Sequence, residues 1–73
     1  MDLVDVTVQV SGLTAAAERQ SVEERLRALP GVLAPRFNRE HELVVAYDPA
    51  ATGSAAILAA VREQAPEAHL VGL

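Results

Sequence analysis

The residue pattern predicts an α+β sandwich, with two helices on one face of a four-stranded antiparallel sheet. Three observations carry this. Apolar residues alternate at a period of two over 4–10 and again over 42–48. They recur at helical spacing over 15–29 and again after Gly53. Glycine and proline punctuate these segments at Gly12, Pro30-Gly31, Pro49 and Pro66.

The first strand is read from Val4, Val6, Val8 and Val10, which alternate with Asp5, Thr7 and Gln9 and define one buried face. Ser11-Gly12 ends it, and Thr14 stands where an N-cap hydroxyl could accept a bond from a free amide of the first helical turn. A helix is expected over 15–29, with Val22, Leu26 and Leu29 on one face and Glu18 in the first turn, where the dipole favours an acid. Glu23 and Arg27 are spaced to pair at i, i+4, and Pro30-Gly31 stops the helix.

A hairpin is expected over 32–38 and 42–48, turning at Asn38-Arg39-Glu40-His41. Pro35 has no amide to give a ladder, so the first arm is read as an edge strand. Asp48-Pro49 breaks the second arm. Ser54 is the expected cap of a second helix with Ile57, Leu58 and Val61 as its apolar stripe. Pro66 ends that helix, and 68–73 form a last strand. The order βαββαβ is the split βαβ, or ferredoxin-like, arrangement, for which connection handedness gives strand order 4-1-3-2. Residues 1–73 are read as a single domain.

Composition limits the chemistry. The chain is 73 residues long and 51% hydrophobic, with Phe37 and Tyr47 its only aromatics, so the core is built from Val, Leu, Ile and Ala. Absence of cysteine removes disulfides, thiolate chemistry and cysteine-type zinc sites. Ten acids against six arginines give a net charge of −4, which disfavours nucleic acid and anionic membranes. No apolar run reaches the ~20 residues of a membrane span, and Met1-Asp2-Leu3-Val4-Asp5 does not read as a secretory signal. A cytoplasmic location without membrane insertion is the expectation.

Local motifs narrow the function, since this topology alone does not. The stretch VTVQVSGLT, followed by VEERLRALPGV, resembles the heavy-metal-associated domain of copper chaperones and metal-transporting ATPases. LVVAYDPA followed by ILAAVREQAPEA resembles its second half. The family runs strand, Gly-Met-Thr-Cys-x-x-Cys, a helix with Val-Glu-x-x-Leu, Pro-Gly-Val, an arm ending Tyr-Asp-Pro, and a Gly-Tyr pair after the second helix. Gly12-Leu13-Thr14, Val22-Glu23, Leu26, Pro30-Gly31-Val32 and Tyr47-Asp48-Pro49 match that frame, with a hairpin about one residue shorter. The departures lie at the functional end: the two cysteines fall on Ala15 and Glu18, and Gly-Tyr falls on Ala65 and Pro66.

Copper(I) is soft and favours thiolate or thioether sulfur, so the family's metal site is not expected here, and no cofactor is. The resemblance implies a non-catalytic module related to metal handling, with a protein-interaction or regulatory role. It would be a monomer or weak dimer whose partner is a metallochaperone or a transporter domain. Family members dock through this loop end, which points to Thr14, Ala15, Glu18, Arg19 and Pro66, and an acidic face would suit a basic partner.

Other readings of the residues stay open beside this one. The three loops at that end gather Glu18, Glu40, His41, Glu42, Glu67 and His69, donors suited to zinc, nickel or manganese. Glu18 with His41 and His69 is the alternative ligand set for a divalent metal, although no pair has ligand-like local spacing. A sensing module of the ACT type shares the βαββαβ order and Pro-Gly-Val, but its Gly-rich ligand loop is missing. Catalysis is not expected. Glu40-His41-Glu42 alternate in direction on a strand and have no nucleophile beside them, and SGLTAAAER lacks the phosphate cradle of an acylphosphatase. RNA-recognition domains stack bases on aromatics that these strands do not carry.

Overall fold

In the computed structural model of the chain, residues 3–13, 15–39 and 41–71 are described. Strands β1 (Val4–Gln9), β2 (Val32–Arg39), β3 (Glu42–Tyr47) and β4 (His69–Leu70) alternate with helices α1 (Ala16–Arg27) and α2 (Ser54–Arg62) in the expected order. The sheet runs β2-β3-β1-β4, the anticipated 4-1-3-2 arrangement counted from its other edge, and every pairing is antiparallel.

Alternation along the strands makes the two faces of the sheet unequal. Val8, Val10, Leu43 and Val45 are fully buried and form one cluster with Val22 and Leu26 of α1 and Ile57 and Val61 of α2. Their neighbours Thr7, Gln9, Val44 and Ala46 face away from the helices and are only partly covered. Pro35 is buried opposite Val45 on β2, which is an edge strand as its proline requires. The Phe37 amide on that edge donates to Glu23 Oε2 at 3.0 Å, so a helix carboxylate covers part of the exposed ladder. Glu23 also lies 3.8 Å from Arg27, and an Arg25–Glu63 ion pair joins the ends of the two helices.

The turns follow their residues. Gly31 adopts φ +90, and its carbonyl accepts the Asp48 amide at 2.8 Å. Asp48 Oδ1 accepts the Ala50 amide at 3.0 Å while its carbonyl accepts those of Ala51 and Thr52, which turns the chain after β3.

Several expectations need correction. Helix α1 begins at Ala16 with Ala15 as its N-cap, so the capping position is one residue beyond the expected Thr14, which lies outside the described residues. Its regular turns stop at Arg27, and Leu29 closes a tighter turn onto Leu26 at 3.0 Å. Ser54 is the first residue of α2 rather than its cap; Gly53 is the cap, in extended conformation without a side-chain bond. Val4 does not join the buried face and is 40% exposed. The last strand is regular only over His69–Leu70, followed by a Val71 amide bond to the Thr7 carbonyl, and positions 72–73 lie outside the described residues.

Candidate functional site

Strand register fixes which loops meet. Gln9, the last residue of β1, is opposite Glu42 at the start of β3 and His69 at the start of β4. The β1–α1 loop, the β2–β3 turn and the α2–β4 loop therefore share one end of the sheet. The Val10 amide donates to the His41 carbonyl at 2.8 Å, which ties the first two together.

The β1–α1 loop is built from its backbone. Gly12 takes φ +87, the left-handed region that favours glycine, and an added Cβ there would meet nothing within 4 Å. Leu13 then turns into the core and is buried. Ala15 is exposed, and its amide donates to Glu18 Oε1 at 3.2 Å while its carbonyl accepts the Glu18 amide at 3.1 Å. Glu18 thus closes the first turn in the manner of the acidic half of a capping box, although alanine has no side-chain oxygen for the other half. Arg19, half-buried, points its Nη1 at the Leu13 carbonyl, 3.4 Å away.

The α2–β4 loop is fastened on both sides. Arg62 Nε donates to the Ala68 carbonyl at 2.8 Å, and Gln64 Nε2 donates to Ser21 Oγ of α1 at 3.1 Å. Ala65 and Ala68 are buried, leaving Pro66 exposed in the turn between them. An open recess of about 420 Å³ lies beside this latch, lined by Leu13, Ala17, Glu18, Ser21 and Gln64. The sequence reading did not find the recess. Its only trace was the apolar spacing of Leu13 and Ala17, which does not reveal that α2 ends against α1.

The titratable residues do not gather. Cross-strand partners share a face, so Glu42 and His69 lie with Gln9 on the helix-free side of the sheet, whereas Glu18 belongs to α1 on the other. Glu42 accepts from Asn38 Nδ2 at 3.1 Å. The His69 ring Nδ1 lies 3.4 Å from the Glu67 carbonyl, and His41 is exposed in its turn. Among the described residues no group of three or more His, Cys, Asp or Glu side chains is arranged to hold a metal ion. Glu40 lies outside them. The chain has no cysteine and its one methionine is Met1, so the donor set does not fit the soft copper(I) ion.

Fold and loop cluster together define a small ferredoxin-like module whose distinctive surface is the first strand-to-helix turn. The chain belongs to the heavy-metal-associated domain family, which it matches over residues 7–66. It is 44% identical over 54 residues to a copper-exporting P-type ATPase of Bacillus subtilis (strain 168), covering 73% of this chain and 7% of the ATPase.

Solved structures agree. A copper binding domain from HMA7, a P-type ATPase, superposes with TM-score 0.84 at 26% identity over 93% of both chains. The N-terminal soluble domains of Bacillus subtilis CopA give TM-score 0.79 at 36% identity, over 85% of this chain and 43% of that one. Oxidized MerP from Ralstonia metallidurans CH34, at 22% identity and TM-score 0.83 over 97% of this chain and the whole of that one, shares the fold. The ACT-type alternative draws no support from these relatives.

Proposed function

We propose that this chain is a non-catalytic heavy-metal-associated module that works by binding a protein partner, without carrying copper(I) in the family's manner. The observation that carries this is the Glu18–Ala15 hydrogen bond. The two positions that the resemblance assigns to metal-binding cysteines hold a methyl group and a carboxylate, and the carboxylate caps the helix. The loop has kept its folding chemistry and lacks sulfur. What remains on its surface is a docking face of Ala15, Glu18, Arg19 and Pro66 next to the open recess; Thr14, also expected to dock, lies outside the described residues. The partner is a metallochaperone or a transporter domain with a basic rim, met in the cytoplasm.

The relationship to a copper-exporting ATPase supports a role in metal handling. Among the described residues no helix is long and apolar enough to cross a membrane. Backbone amide NMR titrations test the reading, first with copper(I), zinc(II) and nickel(II), then with a copper chaperone. Partner-induced shifts confined to 12–19 and 64–67, with no response to metal, are expected. Stoichiometric metal shifts at Glu18, His41 and His69 would replace it with a divalent-metal site.

A further inference from the structure

The sheet face opposite the helices carries a charge pattern that the docking site does not use. Arg36 on β2 is opposite Val44, Val44 is opposite Thr7 on β1, and Ala34, Ala46 and Asp5 form the next row. All point away from the core, because Pro35, Leu43 and Val45 between them are buried. The centre of this face is apolar and only partly covered, with exposed Arg36 on one flank and exposed Asp5 on the other. Neither makes an ion pair among the described residues.

We propose that this face pairs with the same face of a second copy. A two-fold axis lying along β3 sets Val44 and Ala46 against their own copies and exchanges β1 with β2. The Arg36 and Asp5 columns are two strands apart, about 10 Å, with β3 midway between them. Each Arg36 then stands over the other copy's β1 beside Thr7, one side-chain row, roughly 7 Å, from Asp5, within reach of a guanidinium. Symmetry makes this contact twice, so the patch is complementary to itself.

An acidic partner would use the arginine flank and leave Asp5 opposed; a second copy satisfies both. The same axis brings two Glu42 side chains towards each other at one end, each beside its own cross-strand Arg39, which offsets part of the repulsion that weakens the pair. Four strands about 4.8 Å apart and some 20 Å long cover roughly 400 Å² per copy, half of a standard interface, so the dimer is weak and salt-sensitive.

Sedimentation velocity of the purified chain from ~20 μM to ~1 mM tests this, with amide shifts recorded over the same range. Reversible dimerisation is expected, with concentration-dependent shifts at Val44, Ala46, Thr7 and Arg36. R36E and D5R should each weaken it about tenfold, the D5R/R36E double variant should recover most of the loss, and E42Q should tighten it. Asp5 and Arg36 are exposed and Glu42 is half-buried, and circular dichroism confirms that each variant is folded. A chain monomeric at ~1 mM, shifts confined to the 12–19 loop, or a double variant weaker than both singles would overturn the proposal.

Discussion

The Glu18 carboxylate accepts the Ala15 backbone amide 3.2 Å away, closing the first turn of α1 between the two positions that the family resemblance assigns to metal-binding cysteines. Its charge is engaged by the backbone of its own loop, close to the positive end of the helix. The first turn is thus closed by a side chain of its own loop, with the exposed Ala15 methyl group and the recess beside it.

Replacing Glu18 with alanine should cost about 0.5–1 kcal/mol, through loss of the cap and of a favourable helix-end charge. Glu18→Gln keeps an acceptor but not the charge and should fall between. The midpoint of urea denaturation measures both; an unchanged midpoint for E18A would show that the bond contributes nothing in water.

Installing cysteine at both Ala15 and Glu18 should create copper(I) binding on an unchanged frame, whereas either single cysteine should bind far less. Competition against a chromophoric copper(I) chelator reads the affinity. Failure of the double variant to bind, while still folded, would mean that the loop path as well as its donors has diverged.

Two glycines with similar φ should respond differently to alanine. Gly12 has φ +87 and open space around it, so Gly12→Ala should cost about 1–2 kcal/mol of backbone strain alone. At Gly31, with φ +90, the added Cβ would also meet Ala51 Cβ at 2.8 Å. Gly31→Ala should therefore be the more destabilising in thermal melts, since the 48–52 turn must move as well.

Glu23→Ala should raise the hydrogen-exchange rate of the Phe37 amide, which loses its 3.0 Å acceptor, while amides of β3 stay protected. The edge strand is then open, and aggregation at high concentration, seen as faster-sedimenting species, should follow.

Leu43 is fully buried at the centre of the core, and Leu43→Ala should cost about 2–5 kcal/mol. A domain of this length holds only about 5–10 kcal/mol in total, so the variant should be partly unfolded at 37 °C by circular dichroism. Arg39→Ala, exposed on β2, is the matched control and should change little.

Local pattern decided most of the fold. Val8, Val10, Leu43, Val45, Val22, Leu26, Ile57 and Val61 were all readable as core, because strand and helix periodicities assign a face from neighbours in the chain. Pro35 marked an edge for the same local reason, a missing amide. Val4 shows the limit: it has the right phase but is 40% exposed, and among the described residues the β4 register reaches only Val8 and Gln9, at the other end of β1. Periodicity assigns a face, and depth depends on what covers it.

The site was legible in its inventory and hidden in its geometry. The sequence by itself determined that no sulfur pair exists and that three loops meet at one end. Only the tertiary structure decided that Glu18 folds back onto Ala15, that Gln64 latches α2 to Ser21, and that His69 and Glu42 lie on the face of the sheet opposite Glu18. The physical reason is range. Strand and helix periods are set within a few residues. Caps depend on the dihedral path of a loop, and convergence of side chains depends on which way each strand's pleat points when it meets its partners.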